Sequence, residues 1–291
     1  MPQIKTSRIP VNKTYKLYIG GKFPRTESGR YFKLQNSSGE VIANVCRGSK
    51  KDIRDAVVAA RKGFQEWSKK TAYNTGQILY RIAETLEGRK AQFTETLCLQ
   101  GMKPAAAFNE VTEAIDRIVY YAGWCDKYRQ IFSTVNPVES SHFNFSYPEP
   151  TGVVTIIAPE ESGLLGLVSS IMPALAGGNA VVVCASSRFP LTAIEFAEVI
   201  HASDVPGGAI NLITGFRKEL IAGMSNHMDV NAVVYCGNDG EELTQVRSNA
   251  ALNVKRVVHL EHKNWSDESC RSPYTILELQ EIKTTWHPIG I

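Results

Sequence analysis

No Gly-x-Gly-x-x-Gly string occurs anywhere in this chain, so the common phosphate-binding fingerprint of dinucleotide folds is missing. Dense Lys/Arg blocks are missing too. The 32 basic and 29 acidic residues leave a net charge of only +3, which argues against a nucleic-acid partner. The uncharged segment Ser162 to Ala180 is interrupted by Pro173 and Gly177-Gly178 and holds few bulky apolar residues, so no membrane span is expected. Met1 to Lys13 lacks the apolar core of a signal peptide. The six cysteines, at 46, 98, 125, 184, 236 and 270, show no metal-ligand spacing, and neither do His142, His227, His259 and His262. Reduced thiols in a cytoplasmic protein are the expectation.

What is present is a repeating alternation of apolar strand and amphipathic helix from Gly152 to Glu261. Strands are expected over Val153–Ala158, Ala180–Cys184, Ile210–Thr214, Ala232–Cys236 and Val254–Glu261. Helices are expected over Leu164–Ala176, Pro190–His201, Lys218–Ser225 and Glu241–Asn249. Nearly continuous apolar strands separated by helices require a parallel sheet covered on both faces, an α/β doubly wound fold. Ahead of it lie a Gly20-Gly21 hairpin start and a Tyr31–Val45 hairpin turning near Ser38-Gly39. A helix follows that opens on the capping pair Ser49 and Asp52. A second helix is expected from Thr75 through Leu97, with Gly88 as its weak point, and a third from Ala105 to Ile131. His142–Tyr147 alternates as an edge strand or an arm for another chain. Ile276, Glu278, Gln280 and Ile282 alternate in a tail suited to strand addition.

In such a sheet, ligands sit beyond the C-terminal strand ends. Those ends carry Ala158-Pro159-Glu160-Glu161, Cys184-Ala185-Ser186-Ser187, Thr214-Gly215-Phe216, Cys236-Gly237-Asn238-Asp239-Gly240 and Leu260-Glu261. Cys184 and Cys236, at two strand ends, read either as packing thiols or as a redox pair. The acids Glu160, Glu161, Asp239, Glu241 and Glu242 read as solvated helix-start residues or as an acidic cleft.

Several strings in this order resemble the aldehyde dehydrogenase superfamily. They are Gly152-Val-Val-Thr-Ile-Ile-Ala-Pro159, Pro173-Ala-Leu-Ala-Gly-Gly-Asn-Ala-Val-Val-Val183, Pro206-Gly-Gly-Ala-Ile-Asn-Leu-Ile-Thr-Gly215, and His227-Met-Asp229 with Val234-Tyr-Cys-Gly237. Gly101-Met-Lys-Pro104 and the stretch from Leu277 to Gly290 fit as well. The resemblance is nearest to the non-catalytic second module of the family-16 aldehyde dehydrogenases. It implies a Rossmann-type parallel sheet with an N-terminal helical layer (1–135), an oligomerisation arm (136–150), a core (151–262) and an oligomerisation tail (263–291), with the catalytic domain absent.

The resemblance also locates the departures. Glu161 stands at the oxyanion position, where the family has an Asn donor. Loss of such a donor alone costs roughly 3–4 kcal/mol of transition-state stabilisation, and a carboxylate repels the oxyanion besides. Cys184 and Ser187 stand where the family has the Lys and Glu that hold the cofactor ribose. Gly237 keeps the pyrophosphate turn, but Asn238 replaces Ser. Glu261 aligns with the general base, either as that base or as a solvated strand-end carboxylate. Lys263 and Asn264 replace the two glycines that follow it. Cys270, the one cysteine after Glu261, lies too near it to match the family's thiolate and is expected at the surface.

The expected function is a non-catalytic scaffold or oligomerisation protein, a pseudoenzyme without the nucleophilic Cys and the oxyanion Asn. No cofactor is expected, and NAD if any. The expected partners are a second copy of the chain or a catalytic aldehyde dehydrogenase module. The alternative is an NAD(P)-dependent oxidoreductase fragment that lends a cofactor site to a partner's catalytic domain. A third reading is a sensor built on the Cys184/Cys236 pair.

Overall fold

A computed structural model describes residues 11–36, 38–262 and 264–290. The N-terminal residues 1–10 and Lys263, one of the residues at the family's glycine positions, lie outside the described residues.

The chain opens with β1 (Thr14–Tyr15), β2 (Tyr31–Gln35) and β3 (Val41–Cys46), a small sheet in the order β1-β3-β2. Gly39, at φ +79°, turns the β2–β3 hairpin. Tyr18 exchanges two backbone hydrogen bonds with Leu212 (2.9 and 2.7 Å), which ties this sheet to the core.

Helix α1 (Lys50–Trp67) starts on the expected capping box. The Asp52 carboxylate accepts from the Ser49 amide at 2.8 Å, and the Asp52 amide donates back to Ser49 Oγ. The long second helix is in fact two, α2 (Ala72–Gly88) and α3 (Lys90–Leu99). At Arg89 the backbone leaves helical geometry (φ −111°, ψ 13°), and its guanidinium reaches Glu198 at 2.7 Å. The third helix likewise ends early. α4 spans Pro104–Trp124, and a short α5 covers Tyr128–Phe132.

β4 (Thr134–Asn136) and β5 (His142–Pro150) lead into the core: β6 (Val153–Ile157), α6 (Leu165–Ala176), β7 (Ala180–Cys184), α7 (Pro190–His201), β8 (Ile210–Ile213), α8 (Arg217–Asn226), β9 (Ala232–Tyr235), α9 (Gly240–Ala251) and β10 (Arg256–His259). The five core strands are all parallel, in the order β10-β9-β6-β7-β8. Chain order reverses between β6 and β9, so the switch-point crevice lies at their C-terminal ends.

Alternate residues point to opposite faces. Val154, Ile156, Val181 and Val183 pack with α2, α4, α6 and α7. Val153, Ile157, Val182 and Tyr235 pack with α1, α8 and α9. Gly152 sits at φ +132°, and a Cβ there would come within 2.5 Å of Asn231 Oδ1. That side chain instead accepts from the Val153 amide (3.0 Å) at the start of β6.

Beyond β10 come a single 3-10 turn (Glu268–Cys270), α10 (Tyr274–Leu277) and β11 (Gln280–Pro288). Ile276 is therefore helical and buried, and the tail strand starts at Gln280. Arm and tail pair within one chain: β11 runs antiparallel to β5 from Gln280–Pro150 to Pro288–His142, and β4 flanks β5 on the other side.

Residues 264–272 are held by Arg117 of α4. Its guanidinium donates to Ser169 Oγ (2.6 Å), Cys270 O (2.7 Å) and Trp265 O (3.1 Å). Cys270, expected at the surface, is consequently 5% exposed, and burial pushes its thiol pKa up.

Candidate functional site

The crevice at the switch point is filled by the chain's own side chains. Arg217, the first residue of α8, crosses from the end of β8 toward β6 and β9. Its Nη2 donates to Ala158 O, the first carbonyl beyond β6. Nη1 donates to Glu242 Oε2 at 3.3 Å, and Nε lies 3.8 Å from Glu160 Oε1. The guanidinium carbon sits 5.8 Å from the centre of the Tyr235 ring at the end of β9. Burial opposes the charge, yet the facing anionic groups, Glu160 first, raise the Arg217 pKa. The side chains of Arg217 and Glu242 are only 12% and 13% exposed, so these contacts are little screened by solvent.

Glu160 is itself saturated. Its Oε2 accepts from the Ser187 amide (2.9 Å), Ser187 Oγ (3.0 Å) and Ser186 Oγ (3.0 Å). Tyr235 donates to Glu242 Oε2 at 2.9 Å; burial and this carboxylate push its hydroxyl up to about 12. Gly237 lies in the tight space beneath. A Cβ at that position would stand 2.8 Å from the Tyr235 hydroxyl and 2.9 Å from Arg217 Nη1. His259 Nε2 donates to the Gly237 carbonyl at 2.8 Å, which assigns the ring proton to that nitrogen.

Two helix N-termini near these strand ends are also taken. Asp239 caps α9, accepting from the Glu241 and Glu242 amides at 2.9 and 3.1 Å. At α6, Glu110 reaches in from α4 and accepts from the Leu164 amide (2.8 Å), the Leu165 amide (3.2 Å) and Ser162 Oγ (2.7 Å). Free helix-start amides are what draw an anion to a helix N-terminus, and carboxylates of this chain occupy both. In this arrangement the residues do not fit a dinucleotide: the flank of Gly237 is occupied, Ser187 is spent on Glu160, and the local charge is acidic.

The residues singled out by sequence fall in different places. Ser187 and Gly237 belong to the filled crevice. Asn238 is exposed at its rim, and Glu161 is exposed beside Glu160. Cys184 is buried, its thiol pushed up to about 12 by desolvation. Glu261 is not at a strand end. β10 stops at His259, and Glu261 is exposed in the connection that follows.

Cys184 and Cys236 are not a redox pair. Cys184 ends β7 and Cys236 follows β9, strands that flank β6 on opposite sides, and the two cysteines pack on opposite faces of the sheet. Two strand spacings amount to roughly 9–10 Å, and a disulfide needs Cα atoms within about 7 Å. Burial pushes the Cys236 thiol up to about 12 as well. Among the described residues no group of three or more His, Cys, Asp or Glu is placed to hold a metal ion. No described helix is long and apolar enough to cross a membrane.

Sequence reasoning missed Arg217, Glu110 and Arg117. Arg217 directly follows the inspected string Thr214-Gly215-Phe216. Arg217 opens its helix beside a second cation, Lys218, and nothing local marks which of the two turns toward acids on other strands.

The aldehyde dehydrogenase family model matches residues 23–262. Among individual relatives, the putative aldehyde dehydrogenase DhaS of Bacillus subtilis is 34% identical over 252 residues, 84% of this chain and 50% of that protein. The mitochondrial benzaldehyde dehydrogenase of Antirrhinum majus is 34% identical, covering 85% of this chain and 47% of its own length. Among solved structures, the NAD+ complex of Bacillus cereus aldehyde dehydrogenase superposes with a TM-score of 0.80 at 27% identity, over 84% of this chain and 50% of that one. The chain thus spans about half the length of the curated relatives it matches.

Proposed function

The chain belongs to the aldehyde dehydrogenase family, and from that premise we propose that it acts as a non-catalytic scaffold that takes no NAD. The observation that carries this reading is Arg217, seated between Glu160 and Glu242 at the switch point. Aldehyde oxidation needs a thiolate, an oxyanion donor and a held nicotinamide together. Glu161 at the oxyanion position, Ser187 and Cys184 at the ribose positions and the filled flank of Gly237 each oppose one of these. Only residues 260–279 link β10 to β11, and their one cysteine, Cys270, is buried with a raised pKa.

The scaffold role rests on the β4–β5–β11 sheet. The outer edge of β11 is open among the described residues, with Ile282 and Trp286 more than half exposed. An open edge gains its missing backbone hydrogen bonds from a partner strand. The partner is a second copy or a catalytic aldehyde dehydrogenase module, in the cytoplasm. Residues 1–135, 136–150, 151–262 and 263–291 are the working units of this reading: helical layer, arm, core and tail.

The rival reading, an oxidoreductase fragment lending a cofactor site to a partner, draws on the intact parallel sheet and on relatives solved with NAD+. Incubating the purified chain with NAD+ and short and aromatic aldehydes decides between them. Absorbance at the NADH wavelength is expected to stay at the no-protein baseline, and its rise in proportion to added chain overturns the scaffold reading.

A further inference from the structure

We infer that Arg217 is a built-in plug, and that removing it together with its two counter-charges opens the switch-point crevice to a nucleoside diphosphate. The inference rests on the non-catalytic reading above and extends it by naming what closes the site.

Position comes first. A nucleotide in a doubly wound sheet lies across the C-terminal ends of the strands at the reversal of strand order. Arg217 spans that place: it bonds Ala158 O beyond β6 and lies over the Tyr235 ring at the end of β9. The backbone beneath is still shaped for a close approach. Gly237 carries no side chain, and what stands against it is Arg217 Nη1 at 2.9 Å and the Tyr235 hydroxyl at 2.8 Å from its ideal Cβ.

Charge comes next. A guanidinium free to point outward would attract phosphate. Here its donors are turned onto Ala158 O, Glu242 and Glu160. One cation against two carboxylates leaves the cluster negative, and the exposed Glu161, Asp239 and Glu241 add to that sign. The plug therefore excludes phosphate twice, by volume and by the acids that hold it. Removing Arg217 alone leaves two half-buried carboxylates uncompensated, which is costly and more repulsive still. The informative variant removes the cation and neutralises both acids.

The test compares the wild-type chain with Arg217→Gly/Glu160→Gln/Glu242→Gln by calorimetric titration with ADP. Far-ultraviolet dichroism and a cooperative melt establish that each protein is folded. The wild type is expected to give no saturable heat, and the triple variant to bind ADP at least tenfold more tightly than the wild-type detection limit. A folded triple variant as silent as the wild type overturns the plug and leaves the scaffold reading standing. Wild-type binding that the variant loses overturns both, because Arg217 would then be a phosphate ligand. Should the triple variant not fold, Arg217→Ala/Glu160→Gln/Glu242→Gln, which clears the same volume and charge with a better helix former at the first turn of α8, is measured in its place. ADP binding above wild type supports the plug, and binding no better than wild type in the folded protein overturns it.

Discussion

Arg117→Met tests how far the stretch after β10, which also packs Trp265 and Cys270 into the core and accepts from Tyr121 at Ser272 O, depends on one guanidinium. Arg117 is 5% exposed, and its three acceptors, Ser169 Oγ, Cys270 O and Trp265 O, are all uncharged. Hydrogen bonds from a charged donor contribute about 1.5–3 kcal/mol each, and a buried carbonyl left without a donor costs about 1–3 kcal/mol. Against this stands the cost of keeping a guanidinium out of water, which lowers the Arg117 pKa and which methionine does not incur. The balance is a loss of about 2–4 kcal/mol, within the ordinary span for breaking a buried network. At roughly 2 °C per kcal/mol for a chain of this size, the melting temperature falls by about 4–8 °C.

The same variant frees residues 264–272, so a thiol reagent gives an independent readout. In the wild type five cysteines are buried and Cys98 is partly exposed, so one thiol reacts quickly. In Arg117→Met, Cys270 joins it and two react quickly. A variant that melts within about 1 °C of wild type and shows a single fast thiol refutes the reasoning.

Three further outcomes follow from the same structure. Burial raises the pKa of Cys125, Cys184 and Cys236 to about 12 from an ordinary 9.0, so their contribution is complete below pH 9 and is lost as pH rises from 9 toward 12. Each costs about 1 kcal/mol between pH 9 and 10, about 3 kcal/mol together; melts that do not fall over this interval contradict the burial. Gly63→Ala, which in a free helix interior gains about 1 kcal/mol, is expected to destabilise. Its Cβ would meet the Gly208 carbonyl carbon at 2.3 Å where α1 crosses the turn before β8, and a denaturant midpoint at or above wild type contradicts that packing. Deleting residues 277–291 strips β11 from the whole length of β5 and is expected to turn a dimer or larger complex into monomer or aggregate by light scattering. Identical monomers with and without the tail refute the interface.

Much of the core could be read from sequence because strands buried on both faces leave continuous apolar runs. Ala180–Cys184 and Pro190–His201 fall on the expected residues for that reason, and Pro190 at the first turn marks its helix start. The break between α2 and α3 was hidden because apolar periodicity continues through it: Leu86 and Phe93 are both buried, although the chain changes course at Arg89. Arm and tail each alternate visibly, but alternation is the same whether a strand pairs within its chain or with another. Only the structure places Trp286 opposite Asn144.

The site was less legible than the fold. The residues at strand ends were found by counting along strands. What fills the crevice depends on where long side chains turn: Arg217 toward Glu160 and Glu242, Glu110 toward the start of α6. Those choices are set by tertiary contacts more than 20 residues away in sequence, and no local pattern encodes them.

The most direct test of the central claim is a calorimetric titration of the wild-type chain with NAD+. The account predicts no saturable heat into the millimolar range, since Arg217, Glu160 and Glu242 already satisfy one another at the switch point. A one-to-one isotherm with a micromolar Kd would contradict it.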